Sequence, residues 1–287
     1  MEYYTLIRLT PFIVIFMKPA NLIIDLLRTY KDKGLDVKKI METGLLFNFS
    51  ENLIRVSLSR LVSKDIVEKQ QRGIYRLSQA AHPINDFTEM WRLGEDRCRP
   101  WLNNKWICIH SPSLLSKKCL WVLHVTGFRQ IREKFWIRPD NLQFENCSLG
   151  EFLHEMGLTK DIVKISDATL DIDTAQSWFK LFDMDQMEQD YSEMDAKLRA
   201  SQTRLSALPL KAAKKESFHL GGEAIALLAT DPQIPTEYHA SKTRPILWKT
   251  LQSYDLCGRE IWSLSPESQP LSTPTQGLLP TASEEIL

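Results

Sequence analysis

Behind Pro19, the apolar residues Leu22, Ile23, Leu26, Leu27 and Tyr30 recur at three- and four-residue spacing until Lys33 and Gly34. That pattern predicts an amphipathic helix opened by a proline and stopped by a glycine. A second, short helix is expected from Asp36 as its cap through Val37, Ile40 and Met41 to Gly44, with residues 45–49 as the turn that follows. Ser50 then caps a third helix over residues 51–64, whose inner side is expected to bury Leu53, Ile54, Leu58, Leu61 and Val62. Residues 66–69 and 74–77 read as strands joined by Gln70, Gln71, Arg72 and Gly73, a hairpin with a glycine in its loop.

Further on, a helical bridge around residues 86–91 leads to a buried strand at residues 105–110, followed by a helix expected to start at Pro112 and run to Gly127. Strands at residues 128–131 and 134–138, a short helix at 149–156 and a strand at 162–165 complete the order β-α-β-β-α-β. This is the order of a ferredoxin-like fold, a two-layer sheet that commonly pairs with its own copy. Helices are expected at residues 174–182, 187–205 and 216–228, and Trp248, Leu251 and Tyr254 follow at core-like helical spacing. From residue 265 the chain is rich in Ser, Pro, Thr and Glu, the composition of a disordered tail.

The fold class expected is therefore α+β: a winged helix-turn-helix at residues 18–80, a helical linker at 81–103, a ferredoxin-like central domain at 104–172, a helical C-terminal domain at 173–264 and a tail at 265–287. Residues 1–17 are set apart as a non-native extension, with Met1 and Met17 both open as the natural start. The apolar run at residues 9–16 is too short to span a bilayer, and Glu2 does not suit a signal peptide.

Charge changes this picture more than composition does. The 36 basic and 36 acidic residues cancel overall, but residues 17–80 hold 12 basic against 7 acidic, a local excess of +5. A basic module on a mildly acidic body is the footprint of a chain that meets phosphates at one end, although a solvated charged face has the same composition. The five cysteines form no C-x-x-C pair, which fits the reducing cytoplasm and neither a disulfide framework nor a zinc ribbon.

The outer side of the third helix carries Asn52, Arg55, Ser57, Ser59, Arg60 and Lys64. Arginine reads guanine bidentately, asparagine favours adenine, and serine or lysine reaches bases or phosphates, so the set has the chemistry of a recognition helix. Lys69 and Arg72 on the hairpin, with Arg76 behind them, would lie along the phosphates. An ordinary solvated helix face is the other reading of the same residues. No nucleophile motif, H-E-x-x-H, Gly-rich phosphate loop or metal-ligand pattern appears, and His110-Ser111 stands at the end of the first central strand where a nuclease would need a carboxylate. The chain is thus expected to be neither an enzyme nor a cofactor or metal binder, with a protein-interaction adaptor and an enzyme using the central domain as the alternatives.

Several stretches resemble the PaaX family of phenylacetic acid degradation repressors over residues 18–262. They are Lys18-Pro19 with the run from Ile54 to Val62, Gly127-Phe128-Arg129 with Phe135-Trp136-Ile137-Arg138-Pro139, and Asp231-Pro232-Gln233-Ile234-Pro235 followed by Trp248. The resemblance implies a homodimeric winged-helix repressor of an aromatic-acid operon that binds double-stranded operator DNA. It also implies a central domain similar to small CRISPR-associated nucleases, and release of the operator by phenylacetyl-CoA or a related acyl-CoA. The basic run expected before Asp231-Pro232 is weak here, and the hairpin is short. Arg129, Arg132, Trp136 and Arg138 offer cations and an apolar ring for such a thioester. Sheet packing with surface charges is the competing account of those four residues.

Overall fold

A computed structural model describes residues 18–30, 33–101, 104–144, 147–158 and 162–264; the expected extension at residues 1–17 and the expected tail lie outside them. The chain is a mixed α and β protein with two small antiparallel sheets and a helical C-terminal part.

The N-terminal helices are α1 (Pro19–Tyr30), α2 (Val37–Leu46) and α3 (Glu51–Ser63). Asp36 caps α2 by accepting from Lys38 N, and Ser50 caps α3 by accepting from Leu53 N, so both starts are set by residues that satisfy otherwise orphaned donors. Gly44 does not end α2 but lies within it, where a Cβ would sit 2.5 Å from Ile54 Cγ1; the missing side chain lets α3 pack close. Only Ile54, Leu58 and Leu61 of α3 are buried. Leu53 and Val62, expected inside, are exposed because they lie about 100° around the helix from that stripe.

The hairpin strands are β2 (Val67–Gln71) and β3 (Ile74–Leu77), and β3 also pairs with a two-residue strand β1 (Leu35–Asp36) that periodicity did not announce. The loop is shorter than expected, just Arg72 and Gly73, with Gly73 in the left-handed region at φ 84°. Leu22, Ile23, Leu27, Ile40, Ile54 and Leu61 are at most 1% exposed and form the core of this module.

A helix α4 (His82–Glu89) and a 3₁₀ segment (Met90–Arg97) lead to a second sheet. Its strands are β4 (Lys105–His110), β5 (Arg129–Arg132), β6 (Phe135–Pro139) and β7 (Val163–Thr169), in the order β5-β6-β4-β7 with antiparallel neighbours. Between them run α5 (Lys117–Val125) and α6 (Leu149–Glu155). Pro112 does not open α5. Ser116 does, by accepting from Cys119 N, while Ser111 Oγ turns to Ser113 O and holds the preceding residues as a loop. A capping box of Ser148 and Glu151 starts α6.

Ile107, Ile109 and Trp136 pack from one face of this sheet against α5 and α6. The opposite face is covered as well: Trp106, Cys108 and Ile137 meet Phe179 of α7 (Ile172–Phe179), Phe182 and Ile234. A face that a two-layer sheet would offer to its own copy is therefore filled from within the chain.

The remaining helices are α8 (Met184–Leu205), α9 (Leu210–Ala229) and α10 (Arg244–Ser263), with Tyr191, Leu198, Leu228, Leu247, Leu251, Tyr254 and also Trp91 in their shared core. The start of α9 precedes the expected one by six residues, because Pro209 accepts from Ala212 and Ala213 and opens the helix there. No helix of the described residues is long and apolar enough to cross a membrane.

Glu188 fastens the segment between α9 and α10 to α8. Its carboxylate meets His239 Nε2 at 2.8 Å and accepts from Thr243 Oγ1 at 2.7 Å and Thr243 N at 3.2 Å. Burial works against its charge, but hydrogen bonds from Ser241, Thr243 and His239 outweigh that penalty and hold the carboxyl down at about 2. Because the folded value lies below the ordinary 4.5, its contribution to stability is full above that pH and is lost as pH falls toward 2. Glu188→Gln is expected to flatten the acid limb of stability in that window, measured as the urea midpoint against pH. An unchanged acid limb would show that the contact carries no net stabilisation.

Candidate nucleic-acid interface

With Ile54, Leu58 and Leu61 turned inward, the outward pole of α3 lies near Asn52, Val56, Ser59 and Ser63, flanked by Arg55 and Arg60. Asn52, Arg55, Ser59, Arg60 and Lys64 are exposed. Ser57 is half-buried on the flank of the helix. Arg55 makes a long contact of 3.6 Å with Glu51 one turn back, an exposed pair that costs little to break. Val56 and Leu53, absent from the expected set, are 38% and 44% exposed on the same side.

The hairpin adds Lys69 and Arg72, both exposed, one on β2 and one at the tip. Gly73 O accepts from Val37 N at 2.8 Å, which ties that tip to the start of α2. Arg76 is less available, since it pairs across the strands with Glu68. The turn before α3 is fixed from behind: Phe47 packs on Phe218 of α9 at 5.4 Å, Phe218 packs on Trp262 of α10 at 5.7 Å, and Lys215 Nζ reaches Asn48 Oδ1 at 3.4 Å.

The four residues expected to hold an effector do not converge. Arg129 and Arg132 pair with Ile137 and Phe135 and so share their face, whereas Trp136 and Arg138 alternate onto the other. Arg138 is 1% exposed and donates to Pro139 O, Thr126 O and Asn141 Oδ1, which uses its fork on the chain itself. Burial pulls its guanidinium down to about 10. Arg129 lies 5.1 Å above the Phe182 ring, Trp136 is core, and only Arg132 is exposed. The segment is a packed sheet with one surface cation.

A polar cluster that the sequence did not single out joins the 3₁₀ segment to the C-terminal helices. Arg97 donates from Nη1 to Leu228 O and from Nη2 to Ala229 O, capping the end of α9 with a cation. Burial lowers it to about 10. Asp231 accepts from Tyr191 Oη at 2.6 Å and Gln233 N at 2.6 Å, and lies 3.5 Å from Arg244, which also grips Glu95 at 2.8 and 3.1 Å. Burial, with the Asp231 charge and hydrogen bond added, pushes the Tyr191 phenol well above its ordinary range, so its hydroxyl is the donor. Cys98, a thiol driven up to about 11 by burial, donates to Gln233 Oε1, and Asn141 Nδ2 donates to Gln233 O. Asp231 and Gln233 are visible as a motif in the sequence; Arg97 and Arg244 have no local signal. Among the described residues no group of three or more His, Cys, Asp or Glu could hold a metal ion.

No family model matches the chain, and no curated protein matches it. Among solved structures it is similar to an uncharacterised protein of Mycobacterium tuberculosis, Rv0674, with a TM-score of 0.55 and 17% identity over 85% of this chain and 97% of that one. That likeness concerns the fold.

Proposed function

We propose that the chain is a DNA-binding transcriptional regulator in which residues 18–80 act as a winged helix-turn-helix reader. The observation that carries this reading is the outward face of α3, where Asn52, Arg55, Ser59 and Arg60 stand exposed beside a hairpin that exposes Lys69 and Arg72. The polar residues of that face suit base edges, the apolar Val56 near its pole suits a thymine methyl, and the hairpin cations suit phosphates. Residues 104–172 would be a ferredoxin-like domain and residues 173–264 a helical one, the whole working as a cytoplasmic homodimer on an inverted repeat. Repression of an aromatic-acid operon, with release by phenylacetyl-CoA or a related acyl-CoA, is carried over from the resemblance to the PaaX family. No enzymatic step is part of this reading.

The test is a mobility shift of the purified chain on its own upstream DNA across a salt series, with and without phenylacetyl-CoA. Arg60→Ala is expected to cost roughly 1–3 kcal/mol and relax base preference, whereas Lys69→Ala and Arg72→Ala should weaken all sites and each lower the salt slope by about 1. Unchanged footprints for Arg55→Ala and Arg60→Ala would remove α3 as the reader. The exposed Leu53 and Val56 favour a second reading, an adaptor that docks a protein on α3. Absence of salt-dependent retention on any DNA would promote it.

A further inference from the structure

The 3₁₀ segment and the C-terminal helices enclose a cleft whose lining includes Trp91, Glu95, Arg97, Gln233, Arg244 and Trp248. Its enclosed part is water-sized, and the space up to and including its open mouth is about 250 Å³. Two buried N–H groups of residues lining it have no acceptor among the described residues: the indole Nε1 of Trp91 and the guanidinium Nε of Arg97. These side chains are 2% and 1% exposed, so an unmet donor on either is costly. Each terminal nitrogen of Arg97 donates to α9 and the group lies 4.9 Å over the Phe87 ring, which leaves Nε as its nitrogen without a partner among the described residues.

The charges around the cleft cancel in number but are unevenly paired, because Arg244 takes both acids and leaves Arg97 without one. Arg97 and Arg244 are buried, and the acids beside them, Glu95 and Asp231, are both engaged by Arg244. No carboxylate lies within ion-pair distance of Arg97 among the described residues; its positive charge rests on two helix carbonyls. The indole rings and Leu228 supply an apolar wall. Such a place takes an acceptor with negative charge and an apolar body, and a water-sized interior admits one oxygen atom, not the whole of a phosphate.

We propose that this cleft binds a small organic carboxylate, whose oxygen enters to accept from Trp91 Nε1–H and Arg97 Nε–H while its body lies in the mouth against Trp248 and Leu228. The site is independent of the DNA reading. It lies where the linker behind the N-terminal module meets α9 and α10, and an occupant would tie the two together.

The experiment uses the whole chain labelled with nitrogen-15 and two pairs of probes, acetate with acetamide and benzoate with benzamide. The Trp91 indole cross-peak, assigned by its loss in Trp91→Phe or, should that variant not fold, by through-space contacts in the wild type, is expected to move downfield with the carboxylates. The Trp248 indole, already donating to Trp91 O at 3.0 Å, should move far less. Trp91→Phe should weaken benzoate binding about tenfold, the loss of one hydrogen bond to a charged group. A Trp91 signal unmoved by both carboxylates, equal response to the amides, or equal affinity of the variant would each overturn the proposal.

Discussion

Asp231→Ala is expected to destabilise the chain by roughly 3–5 kcal/mol, the cost of removing one partner from a buried charged network. The Asp231 side chain is fully buried and serves three partners at once, accepting from the Tyr191 hydroxyl and the Gln233 backbone N–H and pairing with Arg244. Tyr191, Gln233 and Arg244 are all buried, and Gln233 holds φ at 57°, a conformation that the hydrogen bond from its backbone N–H to the carboxylate supports. Urea unfolding measures the loss directly. Tyr191→Phe supplies the check, since it should cost about 1 kcal/mol in the wild type and much less once Asp231 is gone, a coupling that a double-mutant cycle reads. A loss below about 1 kcal/mol for Asp231→Ala would mean that the network fills space without fastening the junction.

Gly94→Ala should cost roughly 3 kcal/mol or more, from two independent sources. Its backbone angles, φ 57° and ψ −124°, lie where side chains are strained. A Cβ there would also lie 2.6 Å from Trp248 Cε2, and the ring is fixed by its own hydrogen bond to Trp91 O. Calorimetry of Gly94→Ala beside Gly94→Ala with Trp248→Leu separates the two: shrinking the ring should recover the steric part and leave the backbone part. Full recovery would place the whole cost in the clash, and a near-neutral Gly94→Ala would show that the 3₁₀ segment is free to move.

Residues that act within one helix were legible in advance. Ser50, Asp36 and Pro19 announce helix starts because capping is a bond between neighbours, and the polar face of α3 follows from 3.6-residue periodicity alone. Depth was harder to read. Leu53 and Val62 are apolar and helical, yet which stripe turns inward is decided by α1 and α2, not by the stripe itself. The central strands were recognisable from their runs, while the covering of their second face by Phe179, Phe182 and Ile234 depends on residues far along the chain. Arg138 misled for a related reason. Beside Trp136 it resembled a phosphate cation, but its acceptors include two backbone carbonyls, which no sequence displays. Arg97 illustrates the limit, for its partners are 131 and 132 residues away.

The contacts along α9 give that helix a mechanical meaning. Lys215 and Phe218 bear on the turn in front of α3, and Arg97 grips Leu228 and Ala229 at the other end. Between Lys215 and Ala229 the helix runs about 20 Å, so a tilt of about 3° at the gripped end swings the bearing end by about 1 Å. That displacement exceeds the distance range of a good hydrogen bond, about 0.5 Å. If α9 moves as a rigid rod, a small change at the arginine would alter the angle at which α3 is held.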